Sequence, residues 1–378
     1  MDKKNIFIIT HINFWERALG SHQRLFSLVS YLKKYFNIKV LYILKEKSDD
    51  KEKLLKFDLQ NNVVFIDECY QQTVDEIEIN SFLEKYSILK TFFVQSLYAK
   101  MSNYIENKQL KPDAVIIEYI HLSYFLPIFK NTLKILDTHD IMNIRNKLFK
   151  KNNKKHWIDI SEKEEFNIFN IYNKILTIQE KEYKYLIQNN IDSIFVPYPI
   201  NIVRRLVKKQ VQNIIFIGGY NEANVNAIKW FINNIWKYFD DLGLKLFIYG
   251  TVSNALSNIR HKNIYLEGKV ENLDEVYQEA DIAINPVKIG GGLKIKNIEA
   301  MANSIPLITT NEGANGLKRE INNSFLLANT SKEWIEAILY LMISKDLRLL
   351  LVNNAIEFIE NNFSESSAYT GLVKYIKG

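Results

Sequence analysis

The residues with the clearest chemical potential lie in the stretch PVKIGGGLKIKNIEAMANSIPLITT. Three consecutive glycines are followed by two lysines and a glutamate. Because glycine adopts backbone conformations closed to other residues, its N–H groups can turn towards a phosphate that a side chain would otherwise block. Lys294 and Lys296 can neutralise the phosphate charge. The pattern predicts an anion-binding loop built on Gly290, Gly291 and Gly292.

A helix is predicted directly after this loop, from Lys296 to Ala302, before the break at Ser304 to Pro306. Its N-terminus favours negative charge, because the helix dipole is positive there. Glu299 needs a different explanation, since a carboxylate would repel a phosphate. It is suited to accept hydrogen bonds from neutral hydroxyl groups, such as those of a ribose beside the phosphates.

A second group of polar residues follows the predicted strand 133–136, in LDTHDIMNIRN. Loops at strand ends often carry function. We therefore predict that this group binds hydroxyls of an acceptor substrate or assists one proton transfer. Its members are Asp137, His139, Asp140 and Arg145. Alternatively, Asp140 caps the next helix and His139 is a surface residue.

A third group lies just past the first predicted strand. Arg17, Gly20, His22 and Arg24 are expected to face the same ligand-binding edge. The alternative for Arg24 is ordinary charge on a helix surface.

Apolar strands alternate with amphipathic helices through the whole chain. The predicted strands are 5–10, 38–44, 63–66, 114–118, 133–136 and 175–178, then 214–218, 244–250, 264–268, 281–286 and 307–310. This βαβα order predicts an α/β protein with parallel sheets and helices on both faces. Two prolines mark a linker at 196–210. We therefore expect two doubly wound domains that face a central cleft, with ligands at the carboxyl ends of the strands.

Composition is that of an ordinary globular enzyme. The 378 residues are 47% hydrophobic and 24% charged, with a formal net charge of +6, which excludes a disordered chain and fits an anionic ligand. The single cysteine, Cys69, excludes an internal disulfide. The N-terminal apolar run is too short for a signal peptide, and we expect a cytoplasmic protein that binds no nucleic acid.

Two segments resemble the donor domain of the retaining, family-four glycosyltransferases of the GT-B fold. They are FIGGYNEANVNAIKWFINNIW and YLEGKVENLDEVYQEADIAINPVKIGGGLKIKNIEAMANSIPLITTNEGANGL. The likeness covers 214–317 motif by motif and the rest of the chain by architecture. It implies two Rossmann-like domains, an acceptor-binding one at 1–197 and a nucleotide-sugar-binding one at 198–362. A terminal helix at 363–378 would cross back to the first domain.

The resemblance also implies roles for individual residues. Glu299 corresponds to the second glutamate of the family's paired-glutamate motif, which holds the ribose. Gly218 and Gly219 correspond to a turn against the diphosphate, and Gly20 to a loop glycine near it. The donor-binding set that we expect is Gly20, Gly218, Gly219, Tyr220, Lys288, Gly290, Gly291, Gly292, Leu293, Lys294, Lys296 and Glu299.

The chain departs from the family pattern at the first paired glutamate, where it has Gly291, and at a catalytic histidine, where it has Glu118. His121 stands three residues further on. The expected catalytic set is Glu118, His139, Asp140 and Lys296. The expected acceptor-binding set is Arg17, His22, His121 and Arg145.

Breaking a bond between an anomeric carbon and a diphosphate builds negative charge on the leaving group, which cations and N–H groups stabilise. The sequence has no Asp-x-Asp after a strand, which argues against metal-dependent sugar transfer. The resemblance implies a metal-independent transferase of the hexosyltransferase type, with no cofactor. Its donor would be a UDP- or GDP-sugar, and its acceptor a glycan or lipid-linked glycan of a surface polysaccharide.

Two other functions stay open. The chain is alternatively a degenerate nucleotide-sugar-binding partner subunit, because several family charges are absent, or a nucleotide-sugar epimerase of the same fold. The basic run at 147–155, KLFKKNNKK, is either a solvated helix face or a peripheral contact with the inner face of the cell membrane.

Overall fold

The computed structural model describes residues 3–17, 20–68, 76–151, 155–270, 272–289 and 293–378. The chain forms two compact units. Unit 1 comprises Met1–Pro199 and Ala368–Gly378, and unit 2 comprises Ile200–Ser367. In the described ranges, every helix is too short or too polar to span a bilayer.

Unit 1 is a parallel sheet with helices on both faces. Its strands are β1 (Asn5–Thr10), β2 (Asn37–Tyr42), β3 (Val63–Phe65), β4 (Ala114–Glu118), β5 (Leu133–Asp137), β6 (Lys174–Thr177) and β7 (Ser193–Phe195). Its helices are α1 (Gly20–Leu32), α2 (Asp50–Lys56), α3 (Glu76–Lys85), α4 (Gln95–Asn107), α5 (Met142–Lys151), α6 (Glu162–Phe169) and α7 (Glu180–Gln188). The strand order β3-β2-β1-β4-β5-β6-β7 reverses direction at β1.

The central strand β1 is buried on both faces, as a strand in a parallel sheet should be. Phe7 and Ile9 point into one core, and Ile6 and Ile8 point into the other. The second core also holds residues from the last helix of the chain, among them Tyr369. These cores fix β1 and β4 side by side, and with them the loops that leave their carboxyl ends.

Unit 2 repeats this architecture. Its strands are β8 (Asn213–Ile217), β9 (Lys245–Tyr249), β10 (Ile264–Gly268), β11 (Ile282–Asn285), β12 (Leu307–Thr309) and β13 (Leu326–Leu327), in the order β10-β9-β8-β11-β12-β13. The remaining helices are α8 (Glu222–Asn234), α9 (Leu273–Glu279), α10 (Ile295–Ala302), α11 (Ser331–Ile343), α12 (Lys345–Phe363) and α13 (Glu365–Lys377), of which α13 runs from unit 2 into unit 1.

The predicted α/β class with two parallel, doubly wound sheets is confirmed. Strands β1, β4 and β10 have the predicted bounds, and the other predicted strands shift by one or two residues at their ends. Two short strands, β7 and β13, were not predicted, and β13 with two residues is too short to show any alternation. The predicted linker contains the boundary at Pro199, and residues 200–210 lie on unit 2, where Val203 N donates to Ala302 O at 2.8 Å.

Candidate functional site

The strand order of the unit 2 sheet reverses between β8 and β11. Doubly wound sheets bind ligands at this point, beyond the carboxyl ends of the strands. The turn after β8 contains Gly218 and Gly219. Gly250, at a φ of 91°, lies so close that a Cβ atom on it would be 2.3 Å from the carbonyl oxygen of Gly218. Glycine at position 250 therefore allows two loops to meet, which shapes the edge beside α10.

Lys296 lies at this edge, in the first turn of α10. Its Nζ donates to Asn224 Oδ1 at 2.9 Å and lies 4.4 Å from the centroid of the Phe216 ring. Burial, with a smaller contribution from the nearby Lys294, lowers the pKa of Lys296 to about 7. A lysine whose hydrogen-bond partner is a neutral amide keeps its capacity to bind an anion.

Glu299 lies one turn further along α10, on the same face as Lys296. The Tyr277 hydroxyl is 3.5 Å from Glu299 Oε2. Burial raises the pKa of Glu299, although the charge of Lys296 acts in the opposite direction. The edge thus presents a cation and a hydrogen-bond acceptor side by side, the pair that a ligand with phosphates and hydroxyls requires.

The other predicted donor contacts of unit 2 are more varied. Lys288 Nζ lies 3.4 Å from the centroid of the Trp230 ring, and Lys294 forms an ion pair of 3.2 Å with Glu312. Tyr220 is exposed. Leu293 lies beside Gly316, where a Cβ would be 2.8 Å from its Cδ1. The predicted anion-binding residues Gly290, Gly291 and Gly292 lie outside the described residues.

In unit 1, Glu118 and His139 meet at the carboxyl ends of β4 and β5. A hydrogen bond of 2.6 Å joins His139 Nε2 to Glu118 Oε2, and both side chains are buried. Burial, and then the charge of Asp137, raise the pKa of Glu118. Tyr119 stacks on His139 with 4.2 Å between ring centroids. Tyr119 and His139 have φ values of 68° and 57°, a strained arrangement that is typical of functional loops.

Asp137 has a structural partner. Arg24 donates to both of its carboxylate oxygens, at 2.9 and 3.0 Å, and to Val196 O at 2.9 Å. The interpretation of Arg24 as surface charge is wrong, because its side chain is buried. Glu118, Asp137 and His139 place ligand-type atoms within 4.8 Å of one another. Arg24 already occupies both oxygens of Asp137, so this cluster does not suit a metal ion.

A pocket of about 470 Å³ opens beside this cluster, within unit 1. Its lining residues are His11, Phe92, Tyr119, His121, Asp140, Met142, Arg145 and Trp157. Trp157 meets the Phe92 ring at 79° and the His121 ring at 87°, with centroid distances of 5.8 and 5.1 Å. The pocket therefore has an aromatic wall.

The polar part of the pocket is formed by two histidines and one ion pair. Burial, and then the charge of His139, lower the pKa of His11 to about 4. Burial, and then His11, lower the pKa of His121 to about 3. Arg145 forms an ion pair with Asp140. At neutral pH the pocket is therefore lined by neutral imidazoles and a compensated pair of charges.

The structure brings together some predicted residues and separates others. His121, Asp140 and Arg145 line the pocket, whereas Arg17 lies 4.7 Å from the centroid of the Phe26 ring. Gly20 begins α1 and is exposed. His22 on the same helix is buried; burial lowers its pKa.

The alternative interpretations of the β5 loop are wrong. His139 is buried. The amides at the start of α5 bond to carboxylates of α6 and α7 rather than to Asp140, since Met142 N and Asn143 N donate to Glu165 at 2.7 and 2.8 Å.

Sequence reasoning missed His11 and Tyr119 as site residues, although each directly follows a strand. Their positions were a usable signal. Phe92 and Trp157 carried no such signal, because neither directly follows a predicted strand.

In the basic run at 147–155, Lys147 and Lys150 form exposed ion pairs with acidic residues of unit 1. Lys154 lies outside the described residues.

Comparisons with known proteins agree with this geometry. Residues 211–344 match the family described as Glycosyl transferases group 1. A Klebsiella pneumoniae protein, described as an uncharacterized 44.6 kDa protein in the cps region, is 24% identical over 177 residues, which are 43% of this chain and 45% of that protein. This chain therefore matches less than half of that relative's length.

Several solved structures share the fold. A mutant of TarM from S. aureus, in complex with fondaparinux, alpha-GlcNAc-glycerol and UDP, has a TM-score of 0.62 at 13% identity over 99% of this chain and 100% of its own. Anabaena HepE with UDP and glucose has a TM-score of 0.63 at 11% identity over 100% of both chains. The pneumococcal O-GlcNAc transferase GtfA, with UDP and GlcNAc, has 0.63 at 9% identity over 100% of this chain and 99% of its own. At these identities the likeness establishes the GT-B fold.

Proposed function

We propose that this chain, whose residues 211–344 belong to the glycosyl transferases group 1 family, moves a sugar from a nucleotide-sugar donor onto a glycan or lipid-linked acceptor in surface polysaccharide synthesis. The observation that carries the proposal is the pair formed by Lys296 and Glu299 at the reversal point of the unit 2 sheet. A desolvated lysine and a carboxylate one helical turn apart suit the diphosphate and the ribose of a nucleotide sugar. The UDP complexes of HepE and GtfA, and the cps region named for the Klebsiella relative, support the same direction.

Lys296 would act on the leaving group. When the bond between the anomeric carbon and the diphosphate oxygen breaks, its electron pair stays on that oxygen. The phosphate charge favours the ammonium form of Lys296, which then stabilises the transition state more than the ground state. Lys294 and the N-terminal amides of α10 would add to this effect, and the donor set would be completed by Lys288, Tyr220, Leu293 and the glycines predicted from the sequence.

The acceptor would bind in unit 1, in the pocket beside Glu118 and His139. The acceptor oxygen forms the new bond to the anomeric carbon, and its proton goes to the departing diphosphate in a front-face reaction that retains the anomeric configuration. Alternatively the proton passes to the hydrogen-bonded pair of Glu118 and His139, whose 2.6 Å separation suits proton exchange. The reaction yields the glycosylated acceptor and a nucleoside diphosphate. In this proposal it proceeds without a metal ion.

A peripheral contact with the inner face of the cell membrane is part of the proposal. The basic residues 147–155 would form it. Lys147 and Lys150 are about two-thirds exposed, and their ion pairs contribute at most about 1 kcal/mol each, so an anionic surface can compete for them. Sedimentation with anionic and neutral vesicles tests this contact, and equal partition would contradict it.

The test of the main proposal is a panel of UDP-, GDP-, ADP- and CMP-linked sugars, offered to the purified chain with and without EDTA. We expect selective binding that EDTA leaves unchanged, with slow release of free nucleotide. Glu299→Ala should weaken nucleotide binding, whereas Lys332→Ala, an exposed lysine of α11, should leave it unaltered.

Other outcomes identify the alternatives. Binding with no turnover on any acceptor would indicate a partner subunit. Conversion of one nucleotide sugar into its epimer, with no acceptor added, would indicate an epimerase. No binding to any member of the panel would remove the proposed donor site.

A further inference from the structure

We infer that the unit 1 pocket takes an uncharged sugar ring of the acceptor and discriminates against sugars that carry a carboxylate or a phosphate. This inference rests on the proposed glycosyl transfer and names the chemical class of its acceptor. It follows from three properties of the pocket: its aromatic wall, the ion pair that neutralises its arginine, and the neutral form of its histidines.

The aromatic wall suits the apolar face of a pyranose. Trp157 is 53% exposed, although it packs edge-on against Phe92 and Tyr119 at centroid distances of 5.8 and 6.5 Å. An exposed tryptophan beside a cavity of about 470 Å³ offers a flat surface on which the C–H groups of one sugar ring can pack.

Among the described lining residues, the pocket offers no unpaired positive charge to an anionic ring. Arg145 is the cation among the described lining residues, and it is paired with Asp140. The N-terminal amides of α5 are also used, since Ile141 N donates to Glu182 at 3.1 Å and Met142 N donates to Glu165 at 2.7 Å. A carboxylate entering the pocket would meet the charge of Asp140 without gaining an unpaired cation among the described lining residues.

The histidines suit hydroxyl groups. Burial keeps His11 and His121 neutral at neutral pH, with pKa values of about 4 and about 3. Within the described part of the chain, Nδ1 of each is buried and has no hydrogen-bond partner. A neutral imidazole has one donor and one acceptor nitrogen, which is the complement of a sugar hydroxyl.

The experiment uses the intact chain and compares matched pairs of methyl glycosides. Methyl glucoside and methyl galactoside are titrated beside methyl glucuronide and methyl galacturonide, with tryptophan fluorescence and saturation-transfer NMR as readouts. We expect a neutral glycoside to bind about tenfold more tightly than its uronate. Equal or tighter binding of the uronates, or no binding of any glycoside, would overturn the inference.

Two variants make the test specific. Asp140→Asn releases Arg145 from its partner, so it should reduce the preference for neutral glycosides by about tenfold, an effect that mere loss of stability would not produce. Trp157→Ala should weaken all glycosides about tenfold. The matched control is Tyr340→Ala, which removes a 57% exposed aromatic residue of unit 2 and should change neither quantity.

The nucleotide-sugar panel, run on the same samples, separates the two proposals. If a nucleotide sugar binds and is hydrolysed while neutral glycosides show no preference, the transferase proposal stands and the inference on the acceptor is wrong. If neutral glycosides bind but no nucleotide sugar does, the transferase proposal fails. An unchanged preference in Asp140→Asn would also contradict the charge argument.

Discussion

The two sheets of this protein place their candidate sites at the same topological point but differ in the partners of their central cations. In unit 2, Lys296 is half-buried between an amide and an aromatic ring, although its neighbour Lys294 is paired with Glu312. In unit 1, Arg24 and Arg145 are each paired with a carboxylate. In the proposed reaction, topology therefore fixes where each ligand binds, and the pairing of side chains decides which charge that ligand carries. This difference agrees with the two proposals, in which unit 2 binds an anionic donor and unit 1 binds a neutral acceptor.

The sharpest test of this difference concerns stability. Arg24→Met leaves Asp137 buried without its partner, so we expect it to lower the free energy of unfolding by about 3 to 5 kcal/mol. Urea denaturation followed by fluorescence measures the change. Lys147→Met is the control, since it breaks an exposed ion pair with Glu162 and should cost at most about 1 kcal/mol. Equal costs in the two variants would contradict a structural role for Arg24.

The corresponding change in unit 2 should affect activity instead. Lys296→Met is expected to lower kcat for donor hydrolysis about 100- to 1,000-fold, the effect of removing one electrostatic group at a leaving group. The free energy of unfolding should be unchanged or higher, because the substitution removes a half-buried cation that has no ion-pair partner among the described residues. Steady-state kinetics and denaturation on one preparation measure both. Wild-type kcat in this variant would remove Lys296 from the mechanism.

A backbone substitution tests the shape of the donor edge. Gly250→Ala forces a Cβ against Gly218 O in a left-handed conformation, so we expect unit 2 to lose about 2 to 3 kcal/mol of stability. Gly243→Ala is the matched control: its φ of 72° is also left-handed, but a Cβ there meets no atom within 4 Å, and its cost should be only about 1 kcal/mol. If the two costs are equal, the close approach of the two loops is unimportant.

The smallest expected effect is a pH dependence of donor affinity. In the proposed mechanism, the ammonium form of Lys296 binds the diphosphate. The free protein loses that proton as pH rises through about 7. Affinity for the nucleotide sugar should therefore be constant below this pKa and fall about tenfold between about pH 6 and about pH 8. Calorimetric titration in buffers of different ionisation enthalpy should show proton uptake above pH 7. Lys296→Met should give a flat profile, and a flat wild-type profile would contradict the assignment.

Much of the architecture could be predicted from sequence, because a buried strand is recognisable as a local run of apolar residues. The apolar runs that became β1 and β4 stand out from their polar flanks, and the predicted helix at Lys296 begins one residue earlier in the structure. The short strand β13 carries too few residues for any such pattern, and its pairing with β12 depends on tertiary contact.

The site was only partly predictable for a related reason. Asp137, His139 and Asp140 were expected to act as one group because they are neighbours in sequence. The structure assigns them to Arg24, Glu118 and Arg145 respectively. Which partner each residue takes depends on distances across the sheet, and no local pattern encodes these distances.

The sequence by itself determined the fold class, the two series of βα units and the residue types available at each strand end, because these follow from local periodicity and composition. Only the tertiary structure decided how these residues are used. It placed Lys296 against Asn224, and it brought His11, Phe92 and Trp157 together from distant segments into one pocket. The physical reason is that burial and pairing set pKa and binding capacity, and both are properties of spatial neighbours rather than of neighbours along the chain.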